Sequence, residues 1–310
     1  MQFHWTKKLT VSPKHNAFTD LCEYNRQLIC CYREATDHMG VDGAVRIMIL
    51  NYEGQIIAQS RITIAHCDLR DPKLTVMPDG KLLLNAYARC YDNNDKWTHS
   101  HSLCWFSTDG LSWSSARWYG EKNWWVWSLA WHQDQAFGLA YNRKQQSLNW
   151  YKGNPLRGFH CIEREVLGLK THGLGYPNEA ALCFTSDETA LAIVRRDADS
   201  FTAQLGICTK PHRSWQWIDL QEYIGGPAIL LWDESHLIIS GRRWNGKQFN
   251  TAIWLLELTT QKLQLLSLLP SAGDNSYPGL VRRGQDLYVC YYSSHLSATS
   301  DIFLAKLSLS

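Results

Sequence analysis

Several things are scarce in this chain of 310 residues. No run of 18 apolar residues occurs, so no helical membrane span is expected. The formal charge is only +2, which gives no electrostatic case for nucleic acid. The N-terminal MQFHWTKKLTV lacks the apolar core of a secretory signal, and a cytoplasmic location is the expectation. Ten Cys are spread along the chain without the close spacing of a disulfide framework, and Cys30-Cys31 read as small core residues. His99 and His101 with Cys90 and Cys104 have no second pair at ligand spacing, and no dense Asp cluster specifies calcium. No metal or cofactor is therefore expected. Long helical periodicity is also missing, which leaves an all-β chain.

Tryptophan, in contrast, is abundant, with 15 residues. Its ring fills gaps between packed sheets, or stacks on sugar C–H groups. Short apolar runs separated by turn signals recur throughout. One apolar residue marks each candidate innermost strand: Leu21, Leu74, Leu129, Leu182, Ile229 and Leu280. The intervals are 53, 55, 53, 47 and 51 residues, close to the repeat of four-stranded propeller blades. About ten residues after each anchor a second apolar run follows, such as Leu28–Tyr32, Ala190–Val194 and Leu287–Tyr292. These repeats predict a six-bladed β-propeller in one domain, residues 1–310. The last unit supplies only three strands. Phe3–Val11 has strand composition and is predicted to complete that blade and close the ring.

The centre is read from positions relative to the anchors. Three residues before them stand Asp71, Val126, Glu179, Gly226 and Tyr277 in blades two to six. Twelve or thirteen after them stand Arg33, Arg195 and Arg242 in blades one, four and five. Equivalent positions in different blades converge on the axis, so acids, a phenol and guanidiniums are expected at one mouth. The arginine fork suits a carboxylate. The plainer alternative is a set of ion pairs tying blades together.

These residues resemble the sialidase (neuraminidase) superfamily over nearly the whole chain. In that family a Glu opens one inner strand and an Arg closes the next strand sixteen residues later, matched by Glu179 and Arg195. A second Arg follows in the next blade, matched by Arg242, and a Tyr opens the last inner strand, matched by Tyr277 in Ser276-Tyr277-Pro278-Gly279. Ser107-Thr108-Asp109-Gly110-Leu111-Ser112-Trp113 is similar to the family's Asp-box turn, with one residue fewer between Asp and Gly. The family's first Arg is missing: Asn16-Ala17-Phe18-Thr19-Asp20 stands there, and Arg33 is expected to reach the same space.

The resemblance implies a retaining exo-glycosidase with a sialylated or other acidic glycan as partner. Tyr277 would be the nucleophile and Glu179 its base, with Arg33, Arg195 and Arg242 clamping the carboxylate. Asp37 would be the general acid, with Asp42 and Asp71 as the other candidates. Trp124, Trp125 and Trp127 are expected to offer an apolar wall. Two alternatives remain open. One is a hydrolase or lyase using Asp71 and Glu179 as its carboxylate pair. The other is a non-catalytic carbohydrate-binding propeller.

Overall fold

The protein, described here as a computed structural model, is a ring of six small antiparallel sheets. Residues 1–10 and 13–309 are described. Blade one is built from His15–Tyr24, Gln27–Ala35, Ala44–Leu50 and Ile56–Ile62, each strand pairing with the next outward. Blades two, four and five repeat this plan, with innermost strands Cys67–Val76, Pro177–Phe184 and Gly225–Asp233. Blade three departs from it: its inner edge is broken into Trp125–Val126 and Ala130–His132, both paired with Gln135–Asn142. A short helix, Leu169–His172, follows its outermost strand. Among the described residues no helix is long and apolar enough to cross a membrane.

Blade six contains Asn275–Arg283, Asp286–Ser293 and Asp301–Ser308, and its outer strand is Gln2–Lys8. The N-terminal strand runs antiparallel to Asp301–Ser308, from Gln2 opposite Ser308 to Lys8 opposite Phe303. The ring is thus closed from the two chain ends, as the strand count requires. The predicted strand was longer, and its last residue, Val11, lies outside the described residues. Closure hides an edge whose unpaired N–H and C=O groups would otherwise face water.

Alternation of apolar side chains lets each sheet bury both faces against its neighbours. Trp150, Trp254 and Trp127 are buried between sheets, which accounts for part of the tryptophan content. Blades six and one approach so closely that a Cβ on Gly279 would lie 2.0 Å from the backbone nitrogen of Leu21. All six anchor residues line one central cavity of about 160 Å³, together with Asp20, Lys73 and Trp127.

Just before those anchors the inner strands slip register. The slips lie between Ala17 and Asp20, Arg70 and Lys73, Pro177 and Ala180, Gly225 and Ala228, and Ser276 and Gly279. Each is a bulge that bends the strand and re-aims one side chain. Phe18, Asp71, Gly226 and Tyr277 take left-handed φ angles of 59°, 45°, 57° and 47° there. For the three that are not glycine this costs of order 1–3 kcal/mol each.

Candidate active site

The bulges of blades four, five and six bring three groups together. Tyr277 Oη donates to Glu179 Oε1 at 2.6 Å. Arg195 Nη1 donates to both carboxylate oxygens at 3.0 and 2.9 Å, and lies 2.9 Å from Tyr277 Oη. The backbone N–H of Gly226 donates to Glu179 Oε2 at 2.7 Å. Gly226 is required here for space as well as for its φ, since a Cβ would lie 2.6 Å from Cγ of Tyr277. Arg195 Nε is held by Asp197 at 2.9 Å. Its Nη2 has no partner among the described residues.

Glu179 and Tyr277 are buried and Arg195 is half-buried, and their charges set one another. Burial pushes the Glu179 carboxyl up, but the Arg195 charge, the Tyr277 hydroxyl and the Gly226 N–H outweigh it and hold it below the ordinary range. Burial and the Glu179 charge push the Tyr277 phenol well above its usual value, against the pull of Arg195 and Arg242. Tyr277 is therefore a protonated phenol hydrogen-bonded to an ionised carboxylate. It can act as a nucleophile only by passing its proton to Glu179.

Asp71 reaches the same place from blade two. Burial, then the Glu179 charge, raise it to about 7. Its Oδ1 is buried without a hydrogen-bond partner among the described residues. Two carboxyl groups at one mouth are thus pushed apart in acidity, Glu179 down and Asp71 up, the arrangement that separates a base from an acid.

Arg242 comes from the second strand of blade five, and its Cζ stands 5.3 Å over the Tyr277 ring. Its Nη2 donates to Asp274 Oδ1 at 3.1 Å and to Tyr292 Oη at 2.9 Å, and its Nε donates to the Asn275 carbonyl at 2.9 Å. Its Nη1 has no partner among the described residues. Tyr223 lies beside Arg195, with the guanidinium carbon 5.6 Å from its ring. Burial raises its phenol to about 12. Asp274 accepts from Tyr292 Oη at 2.8 Å, and its Oδ2 also meets His15 Nε2 at 3.0 Å and His38 Nδ1 at 2.8 Å. His15, His38 and Asp274 are the one cluster with metal-ligand spacing among the described residues. One nitrogen of each ring, His15 Nε2 and His38 Nδ1, is already spent on the same carboxylate oxygen, which is hydrogen bonding rather than a cation cradle.

Arg33 has a different task from the one expected. It is fully buried, with Nε on Asp68 at 2.8 Å and its two terminal nitrogens on the carbonyls of Asp37 at 3.0 Å and Gly40 at 2.8 Å. Arg70 completes the cluster, with Nε on Asp68 at 2.6 Å and Nη2 on the His38 carbonyl at 3.1 Å. These arginines hold a loop: Arg33 spends all three nitrogens on it, and Arg70 keeps only Nη1 without a partner among the described residues. Asp37, expected as the general acid, is exposed and caps its own turn by accepting from the Met39 N–H at 2.7 Å. Asp42 accepts from Thr36 N and Oγ1 and closes the same loop.

The expected tryptophan wall is also absent in that form. Trp127 is buried, 5.6 Å from the Tyr277 ring and under the Lys73 ammonium. Trp125, half-buried, stacks on Tyr87 at 4.1 Å and on Tyr141 at 5.4 Å, so its ring is engaged within the protein. Trp124 packs, half-buried, on the cluster between blades two and three. Residues that sequence reasoning passed over are Asp68, Arg70, His15, His38, Tyr223, Asp274 and Tyr292. Tyr292 had a signal, since it stands twelve after its anchor, the offset that picked out Arg33.

By sequence, no protein-family model and no curated protein matches the chain. By structure, a protein of unknown function from Dyadobacter fermentans matches with a TM-score of 0.82 at 15% identity, covering 98% of this chain and 99% of that one. The fold is the six-bladed propeller of sialidases and arabinanases. A Penicillium chrysogenum α-L-arabinanase, solved with arabinobiose, matches with a TM-score of 0.71 at 13% identity over 97% and 98% of the two chains. The intramolecular trans-sialidase of Ruminococcus gnavus, solved with oseltamivir carboxylate, matches with a TM-score of 0.66 at 10% identity over 95% and 94%. At such identities the likeness is one of fold, and the chemistry rests on the residues above.

Proposed function

We propose that this propeller is a retaining exo-glycosidase that cleaves a terminal sugar bearing a carboxylate, with sialic acid the first to test. The observation that carries the reading is the contact of Tyr277 with both Glu179 and Arg195. A phenol on a buried carboxylate, beside a guanidinium with a nitrogen to spare, suits attack on an anomeric carbon that already carries negative charge. A carboxylate nucleophile would be repelled there, while a neutral phenol is not. Arg195 Nη2 and Arg242 Nη1, which have no partner among the described residues, would bind the acidic group. The clamp thus has two arginines rather than three. Tyr277 would form the bond to the anomeric carbon as its proton passes to Glu179. Water would then release the sugar, and Glu179 would return the proton. Asp71, titrating near neutrality, would donate a hydrogen bond to the bound sugar without adding charge.

A fluorogenic aryl sialoside tests this. Release by the native protein, lost in Tyr277→Phe while a carboxylated inhibitor still binds, is the expected result. Undiminished release in Tyr277→Phe would remove the tyrosine from the chemistry.

A second reading has its own support in the about 7 of Asp71 against the lowered Glu179. Here Asp71 is the acid and Glu179 the nucleophile, on a sugar that needs no three-arginine clamp. An arabinanase among the structural neighbours agrees with that class of substrate. Release from aryl arabinosides but not sialosides would select it.

A further inference from the structure

We propose that His38 is the proton donor to the leaving group, and so a catalytic residue; this rests on the glycosidase reading above. Four observations lead to it. First, the loop that bears His38 is held with unusual thoroughness. Two arginines, joined through Asp68, grip three of its carbonyls, those of Asp37, His38 and Gly40. Arg33 and Asp68 have fully buried side chains. Burying such charges is expensive, and hydrophobic packing would serve stability as well. What the cluster gives in return is a loop of fixed shape.

Second, the carboxylates of this loop turn inward to its own backbone, Asp37 to Met39 and Asp42 to Thr36. The side chain that the loop delivers towards the mouth is the imidazole of His38, which is 45% exposed. Third, that ring is oriented. Nδ1 donates to Asp274 Oδ2 at 2.8 Å, and Asp274 is itself fixed by Arg242, Tyr292 and His15. A carboxylate on Nδ1 leaves Nε2 as the working atom, the logic of a His–Asp pair. Nε2 has no partner among the described residues. Fourth, a single ring links it to the nucleophile. The imidazole packs edge-on to Phe18 at 5.3 Å, and Phe18 packs edge-on to Tyr277 at 5.0 Å.

In the first step His38, protonated on Nε2, gives that proton to the glycosidic oxygen as the C–O bond breaks. The Tyr277 Oη–carbon bond forms, and the phenol proton goes to Glu179. In the second step neutral His38 takes a proton from water. The water oxygen bonds to the anomeric carbon, the Tyr277 bond breaks, and Glu179 reprotonates the phenol. Both steps balance without a further reagent.

The experiment compares native protein, His38→Ala and Asp71→Asn on two glycosides of sialic acid, one with an acidic phenol and one with galactose as leaving group. Galactose needs a proton to depart, and the phenol does not. His38→Ala is expected to lose about 10²-fold or more on the galactoside and far less on the aryl substrate. Added imidazole should restore part of the loss. Because His38 is half exposed, the variant should fold, and an unchanged Tm checks this. An equal loss on both substrates would make His38 a staple between blades one and six. The leaving-group signature appearing in Asp71→Asn instead would move the acid to Asp71. Either result overturns the proposal and leaves the glycosidase reading intact. A native protein inert on both substrates would overturn both.

Discussion

Two arginine–carboxylate clusters, one in blades one and two and one in blades four to six, differ in what is left over. In blades one and two, Arg33 spends all three nitrogens on Asp68 and loop carbonyls, and only Arg70 Nη1 lacks a partner among the described residues. In blades four to six, Arg195 and Arg242 are pinned by Glu179, Asp197 and Asp274, yet each keeps one terminal nitrogen without a partner among the described residues. A guanidinium has five N–H groups. Whether it is scaffold or ligand site depends on how many are spent, and burial alone does not tell the two apart.

Substitutions can sharpen that contrast. Asp68→Asn leaves two buried guanidiniums undercompensated, and a loss of about 3–5 kcal/mol is expected in denaturant unfolding. A loss below about 1 kcal/mol would mean that the first cluster is not a scaffold. Tyr277→Phe in the second cluster is expected to lower turnover about 10²–10³-fold, roughly 3–4 kcal/mol of barrier, with little change in Tm. A falling Tm with unchanged turnover would turn that cluster into scaffold as well.

Asp71 lies beside both clusters and tests their shared electrostatics. Its carboxyl is raised in the folded state, so its contribution to stability is full below pH ~4, the ordinary carboxylate value. That contribution is lost as pH rises through about 7. Native Tm should therefore carry a downward slope between pH 5 and 7 that Asp71→Asn removes, worth about 2–3 kcal/mol over that range. Identical slopes in the two proteins would show that Asp71 ionises normally. The smallest effect is expected from Arg242→Lys. Lys retains the charge but not the planar fork, so binding of a carboxylated inhibitor should weaken about tenfold, roughly 1.4 kcal/mol. Unchanged affinity would remove Arg242 from the clamp.

The repeat was legible because strand alternation and blade length are local properties. Glu179, Arg195, Arg242 and Tyr277 were legible for the same reason, as each sits at a fixed offset from an apolar anchor, and the bulge at that offset recurs. Arg33 stands at nearly the same offset, twelve rather than thirteen, but its fate was decided by Asp68 in the next blade, 35 residues away. Nothing near Arg33 in the chain announces that partner. The tryptophans failed for a similar reason. Whether Trp125 shows a face to a sugar depends on Tyr87 and Tyr141, which come from different strands. His38 carried no signal at all, since its loop takes its shape from arginines outside it.

The inner-strand bulges also separate fold from specificity. On either side of each slip the ladder is ordinary β-sheet, and it does not depend on which side chain the slip releases. Phe18, Asp71, Glu179, Gly226 and Tyr277 are therefore exchangeable fittings, one per bulged blade, on a frame that holds its shape whichever is installed. One of the five has no side chain at all. The volume that Gly226 leaves empty is where the Tyr277 ring lies, so a single methyl group added in blade five would evict a residue whose Cα belongs to blade six. A change of chemistry at this mouth must then pass through size matching between neighbouring blades, and blades five and six can alter their fittings only as a pair.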